Sequence, residues 1–352
     1  MKIGVIASIA HAYPPENDGS WDQIASTLTE GFVARGHDVV LFAPADSRTA
    51  ARLHGTAASG DQDADRALHC AAAFERAAEF DILVNHAGFA PVTYSRLVPT
   101  PMVTTIHGSS ARQLLPAYQA YDDVAHKVAP SVADRHPDLR YDATILPGID
   151  PEQFTFVPEP GDYLLLLGPI HPDNGTHLAI DVAQQAKAAL VIAGNTEDES
   201  YYRESVQPHL DGVGVSYLGP VKSADRDALL GGARALLHLS TVADQFALPA
   251  IEALATGTPV IATPLGSMPE IIQTGTTGYL VPDVASAVSA VARIADLDRR
   301  ACRDEAVSRF GADRMIDEYV ALLARITGVN SAHHPSPTKR IGSPGLFSHT
   351  SS

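Results

Sequence analysis

Two acids stand eight residues apart in the stretch DQFALPAIE, which runs from Asp244 to Glu252. Paired carboxylates can act as a general acid and base, or they can be ordinary surface residues at the start of a helix. A strand-like run, ALLHLS (235–240), precedes the stretch, and a helical pattern, LPAIEALATG (248–257), follows it. The loop between them leads into a helix N-terminus, where backbone N–H groups and the helix dipole suit a diphosphate. The pattern predicts an anion site with acids beside it.

A histidine at a strand end is the second candidate for chemistry. The apolar run MVTTIHG (102–108) predicts a buried strand, and His107 stands at its carboxyl end, before a glycine. Ligands of parallel α/β sheets bind beyond the carboxyl ends of the strands. His107 is therefore expected to contact a substrate or to be an ordinary hydrogen-bonded residue at a strand end, and the residues alone leave both open.

Two other polar clusters have simpler interpretations. The acidic run DQDAD (61–65) contains an Asp-x-Asp pair typical of metal sites, but it opens a helical pattern. Acids in a first helical turn are stabilised by the helix dipole, so a helix start is the favoured interpretation. The paired histidines His333 and His334 lie in a segment without apolar periodicity, which predicts a disordered tail over 328–352.

The elements that must position these residues alternate between short apolar runs and helical patterns, which indicates an α/β fold. Strand runs that are apolar on both faces predict parallel sheets covered by helices on both sides. The predicted strands are 2–8, 37–44, 81–86, 102–108, 163–168, 189–194, 214–219, 235–240 and 259–263. The predicted helices are 21–36, 63–80, 177–186, 224–233, 248–257 and 314–326.

A chain of 352 residues is too long for one small core, so two domains are expected. The alternation is interrupted over 141–162 by a stretch rich in Pro, Gly and Asp, as in a hinge. We therefore predict doubly wound domains over 1–150 and 151–327, with a ligand cleft between the carboxyl edges of their sheets. The last helix, 314–326, closes the second domain and is a candidate to pack back on the first.

Composition narrows the classes of partner. The chain has 25 Lys and Arg against 41 Asp and Glu, a net charge of −16, so it lacks the positive charge that duplex DNA or an anionic membrane attracts. Two cysteines, Cys70 and Cys302, exclude a disulfide scaffold and fit a reducing cytosol. No apolar run approaches the ~20 residues of a membrane span, and the start lacks a signal-peptide pattern. We expect a cytoplasmic protein with no transmembrane segment that does not bind nucleic acid.

A dinucleotide-dependent oxidoreductase is the first function that a doubly wound fold suggests. Its pyrophosphate loop requires a G-x-G-x-x-G pattern directly after the first strand. Here the first strand leads into SIAHAYPPENDG, and the second domain begins with LLGPIHPDNG. Neither segment has the pattern, so this function is disfavoured.

The order of motifs along the chain resembles that of the retaining GT-B glycosyltransferases of glycosyltransferase family four. The motifs are TIHG, PGID, LGPIHPDNGTHLAI, LVIAG, YLGPV, DQFALPAIEALATGTPVIAT and GSMPEII. The N-terminal segment DGSWDQIASTLTEGFVARGHDVVLFAPADSRTAARL resembles a bacterial branch of the family. The resemblance extends over residues 1–326, and the succession of motifs makes it specific.

The resemblance implies two Rossmann-like domains that face each other across a cleft, with the acceptor on the first and the donor on the second. It implies transfer of a sugar from a nucleotide diphosphate sugar to a small-molecule or glycan acceptor, with retention of configuration and without a metal or other cofactor. The implied catalytic residues are His107 near the reacting carbon, Asp244 at sugar hydroxyls and Glu252 at the ribose. The implied donor-binding residues are Gly19, Gly168, Asn174, Gly194, Val221, Phe246, Ala247 and Leu248.

The chain departs from the family pattern at the positions that, in the family, neutralise the negative charge of the donor diphosphate. The family usually has Arg after the strand glycine and Lys five residues later, whereas this chain has Pro169 and Asn174. The first Glu of the family's acidic pair is shortened to Asp244, and the usual Gly after Phe is Ala247.

These departures keep two alternatives to a glycosyltransferase open. One is a non-catalytic protein that binds a nucleotide sugar or a partner through a degenerate site. The other is a nucleotide-sugar epimerase, for which only His107 is a plausible acid–base group. His171, Lys222 and Arg226 are the candidate replacements for the two missing cations.

Overall fold

The computed structural model describes residues 1–15, 20–107, 110–243 and 247–329, and these form two parallel sheets with helices around them. Strands of the first sheet are β1 Lys2–Ile6, β2 Asp38–Pro44, β3 Arg52–Thr56, β4 Ile82–Asn85, β5 Met102–Thr105, β6 His126–Ala129 and β7 Ala143–Thr144. Strands of the second sheet are β8 Tyr163–Leu167, β9 Ala189–Ala193, β10 Val215–Tyr217, β11 Ala235–His238, β12 Val260–Ala262 and β13 Gly278–Leu280.

The α-helices lie between the strands and after the last of them. They are α1 Ser20–Ala34, α2 Gln62–Glu75, α3 Ser110–Gln113, α4 Leu115–Ala120, α5 Thr176–Ala186, α6 Glu199–Tyr201, α7 Ser223–Gly232, α8 Leu248–Thr256, α9 Met268–Ile271, α10 Val284–Arg293, α11 Arg299–Phe310 and α12 Ala312–Thr327. Along the described chain no helix is both long enough and apolar enough to cross a bilayer.

Both sheets reverse their strand order at the first strand of the domain. The orders are β3-β2-β1-β4-β5-β6-β7 and β10-β9-β8-β11-β12-β13, and every neighbouring pair is parallel. This is the doubly wound Rossmann arrangement. The switch points lie between β1 and β4 and between β8 and β11, so ligands are expected beyond the carboxyl ends of those strands. The predicted α/β class and Rossmann-like architecture are confirmed.

Apolar periodicity explains the elements that were predicted. In α1, Ile24, Leu28 and Phe32 recur at helical spacing and are almost fully buried. Burial of each such side chain contributes about 1.5–3 kcal/mol. The helix ends before Gly36, whose φ of 78° is accessible to glycine at little cost. The acidic run at 61–65 is a helix start, because Asp61 caps α2 by accepting backbone N–H bonds.

The last helix, α12, leaves the second domain and packs on the first. Its Tyr319 hydroxyl lies 2.8 Å from Thr105 Oγ1 at the end of β5. A Cβ placed on Gly31 of α1 would lie 2.3 Å from Ile316 Cδ1, so only glycine allows the two helices to approach this closely. Between the domains, the Glu270 carboxylate also accepts hydrogen bonds from the N–H groups of Val132 and Ala133.

Candidate functional site

The predicted site residues that the structure describes lie beyond the carboxyl ends of strands in both sheets. His107 follows β5, Gly168 follows β8, Gly194 follows β9, and α8 follows the loop after β11. Val221 lies in the segment between β10 and α7. Three other candidates, Gly19, Asp244 and Phe246, lie outside the described residues.

On the first domain, a buried carboxylate organises the loop after β1. Asp22, in the first turn of α1, accepts a hydrogen bond from the Tyr13 hydroxyl at 2.7 Å and lies 2.9 Å from His11 Nδ1. Its side chain is 12 % exposed. Burial, and then the charge of Asp22, raise the pKa of Tyr13, so the phenol stays protonated and remains a hydrogen-bond donor.

Two histidines end adjacent strands behind this network. His86 follows β4 and His107 follows β5, and their ring centroids are 5.8 Å apart. Burial lowers the pKa of His86 to about 4, although the charge of Asp22 opposes the shift. Burial, and then His86, hold the pKa of His107 well below its usual value. Both imidazoles are therefore neutral at pH 7 and can offer one donor and one acceptor nitrogen each.

An aromatic side chain covers the histidine pair. Trp21 in α1 lies with its ring centroid 3.9 Å from that of His107, at an interplanar angle of 38°. Both ring nitrogens of His107 are shielded from solvent. Neither ring nitrogen of the buried His86 has a hydrogen-bond partner in the part of the chain that the structure describes. The described rings of this wall, those of Trp21, His86 and His107, are therefore uncharged, and the Asp22 carboxylate lies near them.

On the second domain, glycine backbone borders the site. Gly168 has a φ of 154°, and a Cβ built there would meet no atom within 4 Å. Gly194 has a φ of 150°, and its Cβ would lie 1.9 Å from the Gly168 carbonyl oxygen. Both conformations favour glycine. The space beside Gly168 allows a ligand to approach the backbone closely.

Polar side chains in the loop after Gly168 form hydrogen bonds with the backbone of the same loop. Asn174 Nδ2 donates to the Pro169 carbonyl at 2.7 Å. His171 Nδ1 accepts from the Asp173 N–H at 3.2 Å, and the Ser240 hydroxyl donates to the Asp173 carbonyl at 2.9 Å. The loop is thus tied to the end of β11, but Pro169 and Asn174 bring no positive charge to it. The hydrogen bond of the Asn174 side chain thus stabilises the conformation of the loop.

The start of α8 is the electrostatically positive feature beside this loop. Ala247 is the N-cap residue, Leu248 begins the helix, and both side chains are buried. Among the described residues, which leave out 244–246 just before the helix, no side chain caps this helix start. The N-terminal half-charge of the helix dipole and its backbone N–H groups favour an anion there. This is the helix start that the sequence predicted.

Glu252, in α8, is paired rather than solvated. Arg226 in α7 donates to Glu252 Oε2 from Nε at 2.7 Å and from Nη2 at 2.6 Å. The two side chains are 18 % and 13 % exposed. Of the three candidate cations, Arg226 thus forms an ion pair with a predicted site residue. The pair holds the Glu252 carboxylate through Oε2.

The sequence did not indicate most residues of the first-domain wall of the candidate site. These residues are His11, Tyr13, Trp21, Asp22 and His86. A signal for His86 was available, because DILVNH ends with histidine at the edge of a predicted strand as MVTTIHG does. The others lie on a loop and a helix turn, where no periodicity marks them. Among the described residues, no three His, Cys, Asp or Glu side chains are arranged to hold a metal ion.

Comparison with known proteins agrees with this architecture. Residues 152–308 match the family described as Glycosyl transferases group 1. A phosphatidyl-myo-inositol mannosyltransferase of Mycobacterium tuberculosis is 25 % identical over 353 aligned positions, covering 88 % of this chain and 90 % of the relative.

Two solved structures have the same fold. AviGT4, a glycosyltransferase involved in avilamycin A biosynthesis, has a TM-score of 0.74 and 23 % identity, covering 93 % of this chain and 98 % of its own. The Anabaena protein Alr3699/HepE in complex with UDP has a TM-score of 0.73 and 17 % identity, covering 92 % of this chain and 100 % of its own. The chain therefore has the GT-B fold, and residues 152–308 of its second domain are similar to the glycosyl transferases group 1 family.

Proposed function

We propose that the protein is a retaining glycosyltransferase that moves a sugar from a nucleotide diphosphate sugar to a hydroxyl group of a small-molecule or glycan acceptor. The observation that carries the proposal is the match of residues 152–308 to a glycosyltransferase family. That segment holds Gly168, the start of α8 and Glu252, the three features suited to a nucleotide diphosphate.

The nucleotide lies on the second domain in this proposal. The ribose hydroxyls donate to the Glu252 carboxylate, which Arg226 holds in place. The diphosphate lies over the Gly168 backbone and the α8 start, with Ala247 and Leu248 beneath it. Gly194 allows the close approach of the two loops, and backbone groups near Val221 contact the base. The complex of HepE with UDP supports a nucleotide diphosphate on this fold.

The transferred sugar faces the first domain, where His107 contacts it near the reacting carbon. The bond between the anomeric carbon and the phosphate oxygen breaks, and a new bond forms to the acceptor oxygen on the same face. The acceptor proton leaves with the nucleoside diphosphate. Since burial keeps His107 neutral, its role is to orient the sugar and to hydrogen-bond developing charge, not to carry the proton. Gly19, Asp244 and Phe246 lie outside the described residues, and their roles at the diphosphate and the sugar stay predictions from the family resemblance.

The proposal further places the reaction in the cytoplasm and requires no metal, as the family resemblance implies. A chelator such as EDTA should leave turnover unchanged. Loss of turnover in EDTA, with recovery on adding a divalent cation, would contradict metal independence.

The test is a panel of UDP-, GDP-, ADP- and dTDP-sugars, with release of the nucleoside diphosphate measured in water and with polyol acceptors such as myo-inositol. We expect one donor to be turned over, with the first product keeping the anomeric configuration of the donor. Inversion of that configuration would contradict the retaining assignment. Interconversion of the donor with its epimer, without release of the diphosphate, would favour the epimerase.

A non-catalytic nucleotide-sugar-binding protein is the second candidate, and the loop at Pro169 and Asn174 favours it. Loss of one electrostatic contact to the transition state typically costs about 2.7–4 kcal/mol. If a nucleotide sugar raises the melting temperature but none is turned over, the binding protein is the correct function.

A further inference from the structure

The acid of the motif GSMPEII, Glu270, has no part in the proposed reaction, but it joins the two domains. Glu270 lies in α9 of the second domain, and its carboxylate accepts two backbone hydrogen bonds. The Val132 N–H donates to Oε2 and the Ala133 N–H donates to Oε1, both at 2.9 Å. Both donors follow β6 of the first domain. Hydrogen bonds to an ionised acceptor are about twice as strong as neutral ones, so this side chain is a specific contact across the domain boundary.

The two donors belong to a tight turn over residues 132–135. The Arg135 N–H donates to the Val132 carbonyl at 3.1 Å, which closes the turn. The N–H groups of the first two residues take no part in such a turn's own hydrogen bond. The Glu270 carboxylate supplies their acceptors, as an N-cap side chain does for the first N–H groups of a helix.

The chain crosses between the described parts of the domains at two adjacent segments. Ile149 and Gly311 form a parallel bridge. The Ile149 N–H donates to the Phe310 carbonyl at 2.8 Å, and the Ala312 N–H donates to the Ile149 carbonyl at 2.7 Å. A Cβ on Gly148 would lie 2.8 Å from the Gly311 carbonyl oxygen, so the two segments pack closely. Two crossings side by side allow one domain to rotate against the other about this hinge.

Glu270 is also connected to the hinge on its own side. Its backbone carbonyl accepts from Arg309 Nη2 at 2.7 Å, and Arg309 lies in the last turn of α11, directly before the hinge. Beyond the hinge, α12 is fixed to the first domain, where Arg35 pairs with Asp317 at 2.6 Å. Rotation about the hinge would therefore move Glu270 relative to the first-domain turn, and its two hydrogen bonds oppose that rotation.

We propose that Glu270 is a positioning residue that sets the angle between the domains, so that the walls at His107 and Gly168 face each other. Its effect on turnover rests on the proposed function, whereas its effect on the domain angle does not. A displacement of about 1 Å in the reacting geometry can cost about 10²-fold in rate, even when its cause lies far from the chemistry. Loss of the contact should therefore lower turnover without a change at either wall.

The contact can be weakened from both of its sides. Glu270→Gln removes the charge and one of the two acceptor oxygens. Ala133→Pro removes a donor, and Ala133 is the second residue of the turn, where proline is favoured. Glu30→Gln is the matched control, because the Glu30 carboxylate accepts hydrogen bonds from the Thr49 hydroxyl and the Ala50 N–H within the first domain.

Spin labels measure the domain angle without any substrate. Leu97→Cys on the first domain and Val213→Cys on the second carry the labels, since both side chains are exposed and the two native cysteines are buried. We expect each of the two contact variants to add a displaced distance population that wild type and the control lack. Their double variant should add little more, because the two changes remove the same contact. Wild-type distances in either contact variant, or the same displaced population in the control, would overturn the inference.

Kinetics test whether the angle matters for turnover. We expect kcat to fall about tenfold in Glu270→Gln and further in Glu270→Ala, and to stay at the wild-type value in Glu30→Gln. The Kd of UDP should stay within about twofold, because the nucleotide is proposed to lie on the second domain. Unchanged kcat in both Glu270 variants, or a loss explained by weaker UDP binding, would overturn the positioning role. Absence of turnover with every donor would contradict the proposed function, and the label distances would still decide the inference.

Discussion

The two walls of the site meet a substrate in different ways. The described part of the first-domain wall consists of packed rings, with the neutral His86 and His107 behind Trp21 and the Asp22 carboxylate beside them. The described part of the second-domain wall consists of open glycine backbone at Gly168 and the N-terminus of α8. The first is suited to an uncharged sugar ring, and the second to a diphosphate.

The difference shows that the fold itself can supply the positive charge for an anion. Pro169 and Asn174 bring none, and the cation that the structure places in the site, Arg226, is bound to Glu252. Under the proposed function, backbone N–H groups and the α8 dipole stabilise the diphosphate, and a Rossmann-like domain provides both. On the first domain, in contrast, the surface of the site depends on the side chains.

Removing the central side chain of the first wall has the largest expected effect. His107→Ala should lower kcat about 10²–10³-fold, the loss typical of one contact to the transition state, while the Kd of UDP stays close to that of the wild type. Steady-state kinetics and calorimetry measure the two quantities. Unchanged turnover would remove His107 from the reaction, and weaker UDP binding would place it on the nucleotide instead.

Removing the Arg226–Glu252 pair on the second-domain wall should have the opposite effect, on nucleotide affinity more than on kcat. Glu252→Gln should weaken nucleotide binding about tenfold or more, because the charged acceptor for the ribose is lost and its ion pair with Arg226 is broken. Arg226→Gln should weaken binding in the same direction, and the double variant should cost less than the sum, since the two side chains are in contact. Glu305→Gln is the matched control, because Glu305 forms a similar ion pair with Arg309 on α11. Equal affinity in Glu252→Gln and wild type would remove the ribose role.

Adding a positive charge to the second-domain wall should strengthen the binding of a diphosphate there. Pro169→Arg should strengthen UDP binding about tenfold at low salt and make it more salt-dependent, as a charge-assisted hydrogen bond to phosphate would. Gln184→Arg, exposed at the end of α5, is the control for net charge. A Pro169→Arg variant whose affinity and salt dependence match those of the control would show that the loop does not face the diphosphate.

The smallest expected effect is the pH dependence of stability due to His86. Its pKa in the folded chain is about 4, below the usual 6.5, because burial disfavours the charged form. As the pH falls, His86 is therefore protonated in the unfolded chain before it is protonated in the folded chain. The contribution of His86 to the free energy of unfolding is complete above pH 6.5 and is lost toward pH 4. Between pH 7 and 5.5 the loss is about 1 kcal/mol. Urea unfolding of wild type and His86→Phe at both pH values measures it, and parallel losses in the two proteins would contradict the assignment.

The sequence predicted the fold well where apolar spacing is strong, as in α1 and in the buried strands around β1. It missed β3, because Arg52–Thr56 is polar and only partly buried and so lacks a strand pattern. It also missed β7, a strand of two residues within the predicted hinge. Pairing in the sheet, which no local pattern encodes, creates both.

The places of candidate residues in the fold were predictable where a residue ends a strand or begins a helix, as with His107, Gly168 and the α8 start. The predicted disordered tail and the candidates Gly19, Asp244 and Phe246 lie outside the described residues and stay predictions. The Arg226–Glu252 pair could not be predicted from spacing, because it joins two helices 26 positions apart in the chain. The Trp21–His107 contact likewise depends on how α1 packs against β5.

The most direct test of the two-wall account is a crystal structure of the full chain with the sugar nucleotide that binds most tightly in the calorimetric panel. The account predicts the diphosphate over Gly168 and the α8 start, the ribose at Glu252, and the sugar beside His107. A nucleotide bound at the β1–β4 switch point of the first domain, or a sugar that does not reach His107, would contradict it.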